Sequence, residues 1–202
     1  MNEELEAFRS EARRWISVNF PVSLQGLDMG PEVDLDLTAE QACDLELWRQ
    51  RMAEQGWGAP TWPAKYGGAG ITQALARIID DELLARSAFN PIPAMSGMGV
   101  TMVGPTILDY GTDEQKEKHL PGMARGEIRW CLGLSEPNAG SDLASLRAKA
   151  EDRGDHFSVS GQKTWTSGAD KSQWCGAVVR TDPHASKRNG ICLLYTSDAA
   201  DD

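Results

Sequence analysis

Apolar residues recur at helical spacing through the first part of the chain and alternate like strand residues in the last part. Leu5, Phe8, Ala12, Trp15 and Ile16 fall on one face of a helix over residues 3–18. Glu3 and Glu4 lie in its first turn, where the helix dipole favours them, and Pro21 ends it. Residues 22–37 are acidic, contain Gly and Pro, and read as a loop. Thr38-Ala39-Glu40-Gln41 is a capping-box sequence, opening a helix to about Gln55 with Ala42, Leu45, Trp48 and Met52 on one face. Gly56 supplies its stop. The stretch from Gly56 to Gly70 is too aromatic for a loose linker, and Trp57 and Trp62 are expected to tuck inward between prolines. Thr72 caps a third helix to about Ser87, with Leu75, Ile78, Ile79 and Leu83 inward. After the break at Asn90-Pro91-Ile92-Pro93, Ser96 to Tyr110 is helical, rich in Met and Gly, and interrupted by Pro105. Met95, Met98 and Met102 read as core filling. Thr112-Asp113-Glu114-Gln115 is a second capping box, opening a helix to about Ala124 that Gly126 ends.

From Arg129 the period changes. Strands are predicted at Trp130–Ser135, Ala148–Arg153, His156–Lys163, Ser172–Arg180 and Gly190–Leu194, with a hairpin turn at Gly154-Asp155. The chain therefore divides into an N-terminal helical domain, 1–127, and a β-domain, 128–194. Residues 195–202 continue neither the alternation nor a cap and read as a non-native or disordered tail, with the chain truncated at that point.

Composition narrows the partners. Hydrophobic residues make up 41% and charged residues 25%, which is globular rather than disordered. A net charge of −10 argues against nucleic acid or an anionic membrane surface. No apolar run approaches the ~20 residues of a membrane span. Cys43, Cys131, Cys175 and Cys192 form no Cys-x-x-Cys pair, and buried thiols in a reducing, cytoplasmic setting are expected.

Two stretches carry candidate chemistry. Leu132-Gly133-Leu134-Ser135 runs into Glu136-Pro137-Asn138-Ala139-Gly140-Ser141-Asp142, a strand ending in a turn of small and polar residues. Small residues admit a ligand close to the backbone, successive N–H groups can cradle an anion, and Ser135 and Ser141 add hydroxyl donors. An ordinary strand ending in a tight turn has the same residues. Gly161-Gln162-Lys163-Thr164-Trp165-Thr166-Ser167-Gly168 also ends a strand, with a flat indole followed by two hydroxyls. Taken alone, Trp165 reads as a core residue.

Together the two stretches resemble the paired signatures of the acyl-CoA dehydrogenase family, and the Gly-Trp…Pro…Tyr-Gly-Gly loop at 56–68 adds to the resemblance. Asn138 departs from the more frequent Gly, but Asn also tolerates unusual backbone angles. The resemblance covers residues 1 to about 194 and stops short of the family's full length. It implies an α+β fold: an all-α N-terminal domain, then an antiparallel β-domain (a truncated β-barrel). It implies an FAD-dependent α,β-dehydrogenation of an acyl-CoA thioester. An acyl-CoA oxidase, a flavin monooxygenase, or a non-catalytic binding protein on the same scaffold are the alternatives. By motif position, Leu132, Leu134, Ser135, Gly140, Ser141, Trp165, Thr166 and Ser167 would contact FAD. Ser135 would bond the ring edge, Ser141 the pyrophosphate side and the thioester's path, and Trp165 would pack on the isoalloxazine with Thr166 and Ser167 near N5. The family's catalytic Glu lies in a C-terminal helical bundle, and no Glu of this sequence matches it, so the fragment alone is expected to be inactive. Electron-transfer flavoprotein or a similar acceptor, and a homo-oligomer at full length, are the implied partners.

Other constellations carry less. His119, His156 and His184 share no ligand-spaced motif, so no metal site is expected. Ser141 lacks the Gly-x-Ser-x-Gly setting of a hydrolase nucleophile. Gly97-Met98-Gly99 lacks the third glycine of a dinucleotide fingerprint. Of Asp80-Asp81-Glu82, at least some are expected to face water.

Overall fold

The computed structural model describes residues 2–27 and 36–197. The middle of the acidic loop, 28–35, and the end of the expected tail, 198–202, lie outside the described residues. The chain forms two compact units, 1–128 and 129–202.

The first unit is helical: α1 (Asn2–Asn19), α2 (Ala39–Glu54), α3 (Gln73–Leu84), the short α4 (Ile92–Met95), α5 (Gly104–Tyr110) and α6 (Asp113–Ala124). Both capping boxes form. Thr38 Oγ1 accepts from Gln41 N at 3.2 Å while Gln41 Oε1 accepts from Thr38 N at 3.1 Å. Thr112 and Gln115 repeat the exchange at 3.2 and 2.9 Å. The core joins Ala12 and Ile16 of α1, Leu45, Trp48 and Met52 of α2, Ile79 and Leu83 of α3, and Ile92 of α4. Ala42, expected on the inner face of α2, is exposed. An aromatic cluster seals this core. Trp15 meets Trp57 edge-on at 4.8 Å, Phe20 meets Trp48 at 5.1 Å, and Trp48 Nε1 donates to Phe89 O at 2.8 Å. Trp57 and Trp62 are both buried, as the aromatic loop predicts.

Pro105 acts on the turn before it. It cannot donate to the carbonyl four residues back, and Gly99–Val103 widens to a π turn in which Val103 N reaches Met98 O at 3.0 Å. Met95 packs against the core, but Met102 is 45% exposed, so the methionine stripe is not one core face.

The acidic triplet divides: two of its carboxylates face water, as expected, and the third turns inward. Asp80 and Asp81 are exposed, whereas Glu82 is 2% exposed. It accepts from Arg13 at 3.1 Å through both oxygens, from Arg86 at 2.9 Å and from Arg9 at 3.2 Å. The Arg13 bonds lead, with Arg9 and Arg86 adding, and they outweigh burial to hold its carboxyl down at about 2. This cluster ties α1 to α3.

The second unit is one sheet: β1 (Trp130–Gly133), β2 (Lys149–Asp152), β3 (Phe157–Ser160), β4 (Trp174–Arg180) and β5 (Ile191–Ser197). The order is β1-β4-β2-β3, with β5 also on β4. β2 and β3 form the expected hairpin through Gly154 at φ +97°. The α+β class holds, but the sheet is mixed rather than antiparallel. β4 runs parallel to β1, with Trp130 opposite Trp174 and Gly133 opposite Ala177, and parallel to β2 at Lys149–Arg180. It is antiparallel to β5 along its whole length. β5 occupies one edge of β4, so β1 and β2 follow each other along the other. The long excursion from β1 through the hairpin is what allows a parallel return. The last strand also runs past Leu194 to Ser197, with Tyr195 paired to Gly176 and its ring 5.8 Å from Trp130, so the tail expected from residue 195 starts as strand. Trp130 and Trp174 stack at 5.4 Å over this end, while Ala148, Ala150 and Val179 form a small core at the other.

Candidate functional site

Both candidate stretches lie in the second unit, and the structure brings them side by side. β1 ends at Gly133 and the chain turns tightly. Glu136 N donates to Ala139 O at 2.8 Å and Ala139 N returns to Glu136 O at 3.1 Å, closing a turn with Pro137-Asn138 at its tip. Those two N–H groups are engaged within the turn. The Gly140–Ser141 limb beyond the turn is exposed. A Cβ at Gly140 would meet nothing within 4 Å, so packing does not require glycine there; the small residue leaves the space above the limb open.

The second stretch leaves β3 at Ser160 and returns alongside. Thr164 N donates to Ser135 O at 2.9 Å. Lys163 crosses between the stretches, its Nζ donating to Leu134 O at 3.1 Å and to Glu136 Oε1 at 2.9 Å. Glu136 also accepts from Arg147 N at 2.7 Å and Ala148 N at 2.9 Å. The ion pair is largely enclosed, its side chains 16% and 8% exposed. Burial alone would push the Glu136 carboxyl up; the two backbone N–H groups and Lys163 together outweigh it and hold it below the usual carboxylate range. Gly133 makes room for this crossing, because a Cβ there would lie 3.1 Å from Lys163 Cγ. The role of Lys163 and Glu136 was not assigned from sequence. The available signal was an acid in one signature and a base in the other.

Trp165 sits at the end of this clamp and is not a core residue. It is 92% exposed and holds φ +59°. A bulky side chain in the left-handed region is a strained arrangement, which clusters at ligand sites. Ser167 N donates to Trp165 O at 3.1 Å and Gly168 follows at φ +69°, fixing the corner. Thr166 Oγ1 is enclosed with no hydrogen-bond partner among the described residues. A buried unmet hydroxyl costs about 1–3 kcal/mol. Ser135 and Leu132 are half-buried, Ser141 and Ser167 exposed. Leu134 contributes its carbonyl to Lys163 rather than to the open side.

A flat exposed indole, an unmet hydroxyl beside it and an open small-residue limb suit a planar heterocycle carrying phosphate. The signatures on which these groups sit belong to a wider match. The N-terminal domain of acyl-CoA dehydrogenases matches residues 2–127, and the middle domain matches residues 131–201. The chain belongs to the acyl-CoA dehydrogenase family.

"Acyl-CoA dehydrogenase IpdE1" of Mycobacterium tuberculosis is 34% identical over 195 residues, covering 95% of this chain and 49% of that protein. The solved "Tcur3481-Tcur3483 steroid ACAD G363A variant" superposes with a TM-score of 0.71 at 31% identity, over 98% of this chain and 49% of that one. The ChsE4-ChsE5 complex from Mycobacterium tuberculosis gives 0.67 at 34% identity, over 96% and 46%. The chain thus spans about half the length of the relatives it matches. Among the described residues no helix is long and apolar enough to cross a membrane, and no cluster of three or more His, Cys, Asp or Glu is placed to hold a metal. His119 is buried on α6 and burial lowers its pKa; His156 and His184 are exposed.

Proposed function

We propose that the chain is the helical and β portion of an FAD-dependent acyl-CoA dehydrogenase, and that the two corners of the second unit grip one flavin. The carrying observation is the Thr164–Ser135 bond with the Lys163 crossing, which holds the two signatures at one place. When bound, FAD supplies the acceptor for the hydrogen that leaves the substrate's β carbon.

The residues of this chain position that acceptor. Trp165 offers a ring face, and its exposed, strained placement is consistent with a surface shaped for a ligand. Thr166 and Ser167 are hydroxyls at the same corner, and a donor at the ring edge stabilises charge that develops there. Ser135 and the Gly140–Ser141 limb serve the ring edge and the pyrophosphate side, and Ser141 lies on the path of the thioester. Leu132 and Leu134 back the loop from β1. No Glu of the chain occupies the base position of the family signature, so the α-proton acceptor is assigned to a C-terminal helical portion of the whole protein. Glu136 is unsuited to that role, because its oxygens already accept from three donors that lower its proton affinity. Acyl-CoA as substrate, electron-transfer flavoprotein or a similar acceptor as partner, a homo-oligomeric assembly and a cytoplasmic location belong to this reading.

Anaerobic bleaching of flavin absorbance in the complete gene product tests it. An acyl-CoA should bleach the flavin and yield an enoyl-CoA; a bound flavin that no acyl-CoA bleaches would overturn the reading. Enoyl-CoA formation by the 202-residue chain alone would instead contradict the placement of the base.

A further inference from the structure

Cys131 on β1 and Cys175 on β4 are direct partners in the parallel pairing of the two strands. Neighbouring strands lie ~4.8 Å apart, inside the Cα separation of ~4.4–6.8 Å that a disulfide spans. Both side chains rise from one face. Cys131 and Gly133 are two apart on β1 and so point the same way, and Cys175 Sγ lies 3.7 Å from the point a Gly133 Cβ would occupy. Cys131 is buried and Cys175 half-buried, and both are free thiols.

We infer that Cys131 and Cys175 form a reversible dithiol–disulfide site, oxidised by hydrogen peroxide, in which Cys175 is the attacking sulfur and Cys131 resolves. The asymmetry is built into the surroundings. The Cys131 thiol, then the Gly133 N–H and the charge of Lys163, stabilise a Cys175 thiolate against burial and lower its pKa. Cys175, with burial, raises Cys131 and keeps its proton in place. In the first step the Cys175 thiolate attacks a peroxide oxygen. The O–O bond breaks, a sulfenic acid forms, and the hydroxide that leaves takes up the proton released when Cys175 ionised. In the second step the Cys131 sulfur attacks Cys175 Sγ, its proton passing to the departing hydroxide, so that the S–O bond is replaced by an S–S bond. Two thiols lose two electrons and one peroxide becomes two waters. The site stands independently of flavin binding, although β1 leads directly into the Ser135–Ser141 loop.

The test uses the chain with its exposed thiols removed, C43S/C192S, treated with one equivalent of hydrogen peroxide and mapped under non-reducing conditions. A linked peptide pair containing Cys131 and Cys175 is expected, with a mass loss of two hydrogens that dithiothreitol reverses. Adding C131S should make Cys175 accumulate as a dimedone-trappable sulfenic acid, and adding C175S should abolish the reaction. The same treatment in denaturing urea should lose the preference for this pairing. Two results overturn the inference, and both are read on the C43S/C192S chain itself: peroxide leaving both thiols alkylatable, or oxidising Cys175 to sulfinic acid with Cys131 still free.

Discussion

Replacing Lys163 with Met removes the ammonium that joins the two corners and keeps most of the side chain's bulk. Breaking one half of a fully buried ion pair costs ~3–5 kcal/mol. Here the Lys163 side chain keeps 16% exposure and Glu136 retains two backbone donors, so the expected loss of unfolding free energy is smaller, about 2 kcal/mol. The loss should depend on pH. The Glu136 carboxyl is held below its unfolded value, so its contribution is fully present above an unfolded pKa of ~4.3 and is lost as pH falls through the lower folded value. Below that range the carboxyl is neutral in both proteins and the attraction to Lys163 vanishes. Urea unfolding at neutral and acid pH should therefore show K163M clearly less stable at neutral pH, with the gap narrowing in acid. A loss below about 0.5 kcal/mol at neutral pH would place the pair with ordinary surface ion pairs. A loss of equal size at both pH values would show that the aliphatic stem, not the charge, holds the corners.

Three further outcomes follow from the packing. E82Q should lose about 2 kcal/mol and flatten the acid limb of the stability curve that wild type shows as pH falls toward about 2, read by urea unfolding across pH. G104A should lose about 2 kcal/mol by the same measurement, because its Cβ would lie 2.2 Å from the Trp62 ring. W165G should leave stability unchanged or raise it by about 1 kcal/mol, since it relieves φ +59° and removes a side chain that packs on little, while weakening flavin binding. A large stability loss in W165G would make Trp165 structural after all.

What the sequence revealed was local. The capping boxes at Thr38 and Thr112 were legible because each partner sits three residues away. Gly56, Gly126 and Gly154 were legible because each closes its own turn at positive φ. The Glu82 cluster was not, because Arg9 and Arg13 lie 73 and 69 residues away and nothing in the acidic triplet marks which carboxylate turns inward. The parallel return of β4 onto β1 was hidden for the same reason: alternation gives a strand its faces but not its neighbour. At the site, the two signatures were recognisable as stretches, but the Lys163 crossing that unites them spans 27 residues. Trp165 ran against the general preference of large apolar side chains for the interior, and its exposure is set by the folded corner rather than by its own residue type.

The central claim, that both corners hold one flavin, is met most directly by a titration of the isotopically labelled chain with FAD at millimolar concentration, followed by amide and indole resonances. Shifts should appear together at Trp165, Thr166 and Ser167 and at Ser135, Gly140 and Ser141, and follow a single weak isotherm. Shifts confined to one corner, shifts that titrate with two different affinities, or none at either corner would contradict it.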